Sequence, residues 1–261
     1  MILLKALLLG VVEGITEFLP ISSTGHLILV SRYLDYPERM RATFEIFIQL
    51  GAILAVIWHF QGPMKELVRE ARTRPDARDL LAKVALAFIP AAVAGLLFGS
   101  AIQAFLFSPR VVGMSLLLGG IVIIVIERFV WLGAVRRIED TSWRAALFIG
   151  LAQVLSLVPG VSRAAATIIG GLVSGLSRPV AAVFSFYLSV PTIMAASLYS
   201  LFKARHLLEW SDVPPLAVGF GAAFVSALIV IRAFLSYVQR HDSTAFGIYR
   251  IILGLAVLAL V

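Results

Sequence analysis

Two carboxylates, a hydroxyl and a histidine lie in an otherwise apolar stretch near the start of the chain. The segment EGITEFLPISSTGHL places Glu13 and Glu17 four residues apart and Ser23 three residues before His26. Because residues at i, i+3 and i+4 share a helix face, each pair can act at one site. Carboxylates at membrane depth need a cation, a shared proton or water beside them. A hydroxyl beside an imidazole is a candidate nucleophile and base.

A second polar stretch, PGVSRAAAT, supplies the opposite charge. Arg163 lies within residues 141–208, which contain no acidic residue. The Pro-Gly turn followed by a serine predicts a new helix, and N–H groups at a helix start bind anions. Arg163 would add two-pronged phosphate recognition, with Gly160, Ser162 and Thr167 beside it. We therefore predict a phosphate site where the two stretches meet.

The composition indicates that these stretches lie in a membrane. The chain has 261 residues, of which 60% are hydrophobic and 14% charged, and its mean hydropathy is +0.98. A soluble domain is about a quarter charged, so the chain is predicted to be a polytopic membrane protein with one integral membrane domain, 1–261. The absence of cysteine excludes thiol catalysis. The net charge of +7 is carried largely by loops, which indicates membrane orientation rather than nucleic-acid binding.

The apolar pattern predicts an all-α fold with six full transmembrane helices and two re-entrant helical hairpins. A full span needs roughly 20 apolar residues, and six segments approach that length: 44–60, 84–104, 111–127, 180–202, 215–235 and 246–261. The segments that are too short or too polar form two pairs, each broken by a proline: 1–18 with 22–34, and 145–157 with 162–175. Two kinked full spans are the alternative interpretation.

The two hairpins resemble each other, which predicts an internal duplication with halves of approximately 1–127 and 128–261. Gly10 matches Gly150 and Glu13 matches Gln153. The loops on one predicted side carry most of the loop arginines and lysines, which places the two halves in opposite orientations. The four tryptophans fall at span ends, as in an interfacial belt: Trp58, Trp131, Trp143 and Trp210.

Two classes of function fit these residues. An arginine at a helix start, a hydroxyl and paired acids suit phosphoryl transfer, in which Glu13 and Glu17 would hold a divalent cation such as Mg²⁺ or Ca²⁺. An embedded site implies a substrate with a lipid tail. The competing class is a transporter with inverted repeats, in which the two glutamates relay protons.

The motifs resemble those of the undecaprenyl-diphosphate phosphatase family, which is associated with bacitracin resistance. The E-x-x-x-E helix, the P-x-S-S-x-G-H turn and the P-G-x-S-R loop occur in order, with FEIFIQLGAILAV between them. The resemblance implies hydrolysis of undecaprenyl diphosphate to undecaprenyl phosphate for cell-wall synthesis. It also implies Mg²⁺ or Ca²⁺ as cofactor and a multi-pass protein of the bacterial inner membrane, with its site open to the periplasm.

The resemblance assigns roles to individual residues. It places Glu13 and Glu17 in the acidic motif, Ser23 and His26 in the serine–histidine motif, and the phosphate loop at Ser162, Arg163 and Thr167. The expected catalytic residues are Glu17, Ser23, His26 and Arg163. Either Ser23 or His26 could be the nucleophile. Ala164 stands where the family loop usually has a second serine, so no role is assigned there. The sequence does not fix the oligomeric state, and a homodimer is compatible with it.

Overall fold

The chain folds almost entirely into helices. The computed structural model describes residues 1–129, 133–204 and 209–260, so the tryptophan at position 131 lies outside the described residues. No strand occurs in these three ranges beyond an isolated bridge between Val135 and Leu176. The eleven α-helices found there are α1 Ile2–Thr16, α2 Ser23–Tyr33, α3 Glu38–His59, α4 Gln61–Glu70, α5 Pro75–Leu106, α6 Pro109–Phe129, α7 Trp143–Val154, α8 Arg163–Val173, α9 Arg178–Ala204, α10 Val213–Val238 and α11 Thr244–Ala259.

Helices of membrane-spanning length occur at the predicted places. Within the described ranges, five helices are long and apolar enough to cross a bilayer: 38–59, 75–102, 109–129, 178–203 and 210–238. The sixth predicted span corresponds to α11, which has 16 residues. At about 1.5 Å per residue this helix is roughly 24 Å long, shorter than the roughly 30 Å hydrocarbon core. The protein is therefore a multi-pass membrane protein, and α11 is its shortest candidate for a crossing.

Tryptophans mark the helix ends, as the belt interpretation requires. Trp58 lies one residue before the end of α3, Trp143 begins α7, and Trp210 lies in the turn before α10. All three side chains are exposed. Their position fits an interfacial role, in which an amphipathic ring lies at the headgroup level.

The two predicted hairpins are two pairs of short helices. The first pair is α1 and α2, and the second is α7 and α8; each pair is interrupted by the predicted proline-containing segment. Ser22 caps α2 by accepting from the N–H of Gly25, and Ser162 caps α8 by accepting from the N–H of Ala165. Both serines have a φ of 72°, a region that non-glycine residues rarely adopt. The same strained turn therefore opens the second helix of each pair.

Small residues seat the first helix of each pair against a long helix. A Cβ on Gly10 would collide with the carbonyl of Gly219 in α10, and a Cβ on Gly150 would collide with Ala87 in α5. Close helix approach of this kind is how membrane helices pack, since lipid gives no hydrophobic advantage to burial. Helix α1 packs mainly on α10, and α7 packs on α5 as well as on α8, so each of these short helices contacts a long helix distant in sequence.

Candidate functional site

The break after α1 places a carboxylate against a hydroxyl. Helix α1 ends at Thr16, and Glu17 is its C-terminal cap. Ser23, the first residue of α2, donates its hydroxyl hydrogen to Oε2 of Glu17 at 2.6 Å. The side chain of Glu17 is only 9% exposed. The turn of residues 17–22 thus folds the acid back onto the serine within the first helix pair.

The second pair contributes the positive charge at the same point. Arg163 begins α8, and its Nη2 donates to Oε1 of Glu17 at 3.1 Å across 146 residues of sequence. Its Nη1 donates to the backbone carbonyl of Ser185 in α9 at 3.2 Å, and the guanidinium carbon lies 5.7 Å from the centre of the Phe18 ring. The predicted meeting of the two stretches is confirmed by this contact. Arg163 is 10% exposed, so its guanidinium lies among the packed helices and does not extend to the surface.

A polar cavity of about 210 Å³ opens beside this ion pair. Glu17, Ser23 and Arg163 all line it, as do the predicted phosphate-loop residues Gly160 and Ser162. Its other walls come from α2, α3, α9 and both helix breaks: Ser22, Thr24, Gln49, Ser156, Thr192, Ile193 and Ala196. Hydroxyls, amide groups and one guanidinium therefore surround a space large enough for several waters or a phosphate group.

Thr167 lies behind the cavity rather than in its wall. Its hydroxyl is 2.6 Å from the hydroxyl of Ser185 and donates to the carbonyl of Arg163 at 2.9 Å. Ser185 in turn accepts from Arg163. Thr167 therefore orients Arg163 through α9. Ala164 is buried in the apolar core, so its methyl group is used in packing.

His26 is turned away from Ser23. Its Nδ1 is 2.7 Å from the carbonyl of Ser22, and its Nε2 is 2.7 Å from the hydroxyl of Tyr249 in α11, on whose ring it stacks. No hydrogen bond joins the imidazole to the Ser23 hydroxyl, and His26 does not line the cavity. The predicted serine–histidine pair is thus replaced in this structure by a serine–glutamate pair.

The surroundings of Glu13 meet some of the requirements of a cation-binding site. Its side chain is fully buried, and both carboxylate oxygens lack a hydrogen-bond partner among the described residues. It lies within electrostatic range of Glu17, Glu45 and Arg163. Both oxygens of Glu17, however, are occupied by Ser23 and Arg163. Among the described residues no group of three or more His, Asp or Glu side chains could hold a metal ion, so water and substrate oxygens would have to complete its coordination.

Three polar residues of the site carry no local sequence signal. Ser185 and Thr192 lie in α9, where Tyr187 and Ser189 also carry hydroxyls, and Ser156 lies in the turn after α7. Serine and threonine are common in membrane helices because their hydroxyls bond to the helix backbone. Ser185, Ser189 and Thr192 follow the i, i+4, i+7 spacing of one helix face, but the same spacing occurs in helices without a functional site.

Long apolar helices around an acid–hydroxyl–guanidinium cluster define a multi-pass membrane protein with a polar site between its helices. The model of the family described as bacitracin resistance protein BacA matches residues 6–256, and the chain belongs to this family.

Several curated proteins are similar to the chain over nearly its whole length. An undecaprenyl-diphosphatase of Nitrosospira multiformis is 48% identical, with 98% of this chain and 94% of that protein covered. One of Ectopseudomonas mendocina is 48% identical, with 98% and 92% covered. An undecaprenyl-diphosphatase 2 of Rhodospirillum rubrum is 50% identical, with 98% and 94% covered.

Proposed function

We propose that the protein hydrolyses undecaprenyl diphosphate to undecaprenyl phosphate and inorganic phosphate. The observation that carries this proposal is the contact of Glu17 with both Ser23 and Arg163 at a cavity between two helix breaks. The names of the relatives supply the substrate. A lipid diphosphate fits the position of the site, since its tail can stay among apolar helices while its head enters the cavity.

Arg163 and the start of α8 bind the diphosphate in this mechanism. The guanidinium presents paired donors to phosphate oxygens, and the first N–H groups of α8 have no partner within the helix. When the substrate enters, its phosphate oxygens compete with Glu17 for Arg163. That exchange would release one oxygen of Glu17 as the anion arrives, so binding and activation are linked.

Ser23 is the proposed nucleophile and Glu17 its base. The 2.6 Å hydrogen bond already directs the Ser23 proton to Oε2 of Glu17. Attack of Oγ on the terminal phosphorus forms an O–P bond and breaks the bond to the bridging oxygen, so undecaprenyl phosphate leaves. Water then attacks the phosphoserine phosphorus and the P–Oγ bond breaks. Oγ takes back its proton from Glu17, and the proton lost by the water leaves with the inorganic phosphate. A water held by Ser23 would follow the same course in a single displacement. His26, hydrogen-bonded to Tyr249, acts by holding the start of α2.

A divalent cation, Mg²⁺ or Ca²⁺, is part of the proposal. Glu13 would hold it, joined by Glu17 once Arg163 turns to the substrate. Both ions prefer carboxylate and water oxygens, and when bound such an ion neutralises charge on the phosphate oxygens. The support is the unpartnered, fully buried carboxylate of Glu13.

The membrane layout is proposed as six spans and two re-entrant hairpins in inverted halves. Ser22 and Ser162 are 140 positions apart, and so are the first residues of α2 and α8 and of α3 and α9. The packing of α1 on α10 and of α7 on α5 supports an exchange of partners between halves. We place the protein in the bacterial inner membrane with the cavity open to the periplasm. A homodimer stays a prediction.

Phosphate release tests the function directly. Purified protein in detergent is given undecaprenyl diphosphate with Mg²⁺, Ca²⁺ or a chelator, and inorganic phosphate is measured over time. We expect release by the wild type and loss in the Ser23→Ala and Arg163→Ala variants. Wild-type protein that releases no phosphate but drives proton-coupled uptake in liposomes would establish the transporter instead. Equal release with and without chelator would remove the cation from the mechanism.

A further inference from the structure

Arg250 is a buried arginine that the proposed mechanism does not use. It lies in α11, is 0% exposed, and donates to backbone carbonyl groups of three separate regions. Its acceptors are the carbonyls of Pro20 at 3.2 Å, Gly160 at 3.0 Å, Val161 at 2.9 Å, Ser115 at 3.0 Å and Leu116 at 3.5 Å. Pro20 belongs to the first helix break, Gly160 and Val161 belong to the second, and the last two belong to α6.

The charge of Arg250 is balanced by carbonyl dipoles. Within the described ranges it forms no salt bridge, and all five of its hydrogen bonds go to backbone oxygens. An unpaired charge inside a protein is costly, so its presence requires these carbonyls to stay directed at it. The guanidinium, a planar group with five N–H donors, suits acceptors that converge from several sides.

Three of the five acceptors lie just before the two strained serines. A trans peptide directs its carbonyl and its N–H in opposite directions, so fixing the Val161 carbonyl on Arg250 directs the Ser162 N–H away from it. That N–H has no hydrogen-bond acceptor in the described structure, and Ser162 lines the cavity. Positive φ at Ser162 and Ser22 costs of order 1–3 kcal/mol each and persists only where the surroundings enforce it. Arg250 contacts the residue directly before Ser162 and the residue two positions before Ser22.

Helix α6 is shaped to admit this guanidinium. A Cβ on Gly119 would collide with Nη2 and Cζ of Arg250. The preceding residue of α11, Tyr249, hydrogen-bonds His26 of α2. Helix α11 therefore reaches both helix breaks and α2 through two adjacent side chains.

We propose that Arg250 is a positioning residue. Its guanidinium holds the carbonyl groups of both helix breaks, so that Glu17 and Arg163 meet at the cavity and the Ser162 N–H faces an entering anion. Its consequence for turnover rests on the phosphatase activity proposed above. The holding of the two breaks itself does not.

The first test compares two conservative substitutions, Arg250→Lys and Arg178→Lys. Arg178 is partly buried and donates to a single carboxylate oxygen of Glu127, an arrangement that one ammonium group can reproduce. A lysine at 250 keeps the charge but cannot span acceptors on three sides. We expect kcat for phosphate release to fall about 100-fold in Arg250→Lys and to change less than about twofold in Arg178→Lys.

Hydrogen–deuterium exchange of the same proteins supplies a readout that does not need activity. In Arg250→Lys, peptides covering 17–22 and 158–162 should exchange faster, while α10 and the end of α3 keep their wild-type rates. Uniformly faster exchange throughout the chain, or wild-type kcat and wild-type exchange, would overturn the proposal. A third outcome separates the two proposals: the wild-type protein releases no phosphate, yet Arg250→Lys exchanges faster at both breaks only. That outcome would refute the phosphatase activity and support the positioning role.

A second variant displaces Arg250 without replacing it. Gly119→Ala puts a methyl group against the guanidinium, whereas Gly99→Ala in α5 meets nothing within 4 Å. Both changes are glycine to alanine inside apolar helices. We expect about tenfold lower kcat and faster exchange at both breaks in Gly119→Ala, and wild-type values in Gly99→Ala. This pair decides the question if Arg250→Lys does not fold; equal behaviour of the two alanine variants would overturn the proposal.

Discussion

The two helix breaks have the same backbone conformation but carry different functional side chains. Helices α2 and α8 have 11 residues each, and each begins after a capping serine with a φ of 72°. At corresponding positions the first pair has Glu13 and Ser23 where the second has Gln153 and Arg163. Two helix pairs with the same turn can thus hold a carboxylate and a hydroxyl on one side and an arginine on the other. Neither pair alone contains the full set of groups.

The largest effect should come from neutralising the acid of the first pair. In Glu17→Gln the amide cannot take the Ser23 proton, and Arg163 loses its charged partner. General-base catalysis contributes 10²–10⁴-fold, so phosphate release should fall about 1,000-fold. The matched control is Glu66→Gln, an exposed position on α4, whose rate should stay at the wild-type value. Near-normal release by Glu17→Gln would mean that the first pair does not supply the base.

A smaller loss of kcat is expected when the arginine of the second helix pair is changed. Arg163→Lys keeps the charge but loses the planar fork that contacts Glu17 and Ser185 together. Losing one such donor costs about 100-fold in kcat. Steady-state kinetics should show that most of the loss lies in kcat. An unchanged kcat with a raised KM would restrict Arg163 to ground-state binding.

Making the second pair resemble the first should destabilise the protein. Gln153 is fully buried, and its Nε2 has no partner among the described residues. Gln153→Glu places an unpaired charge there, at a cost of about 2–3 kcal/mol. Unfolding in detergent should show this loss, while the neutral Gln153→Met stays closer to the wild type. Equal stability of the two variants would show that the second half accepts an acid as readily as the first.

The smallest effect should come from relieving the shared strain. Ser22→Gly and Ser162→Gly each lose a hydroxyl cap, worth a few tenths of a kcal/mol against glycine, and gain a residue that adopts positive φ freely. Each should lie within about 1 kcal/mol of the wild type, whereas the alanine variants, which keep the strain, should lose about 1 kcal/mol or more. A gain of stability in one glycine variant and a loss in the other would show that the two turns are not equivalent.

The sequence predicts the parts of this site that depend on local signals. The sequence alone shows the proline breaks, the capping serines and the isolated opposite charges of Glu17 and Arg163. The structure brings these two charges into contact. The orientation of His26 depends on Tyr249, which is 223 positions away, and the fixing of both breaks depends on Arg250. These contacts arise from α11 packing on α6. Tertiary packing of this kind leaves no period or motif in a single sequence.

The exchange of packing partners has a consequence for how the chain is assembled in a living cell. A ribosome makes α1 before α10, although α1 depends on close contact with α10 at Gly10 and Gly14. A helix of 15 residues is a poor substrate for stable insertion by itself. Helix α1 therefore reaches its final packing only after α10 has been synthesised. Separately expressed halves should accumulate only when they are made together.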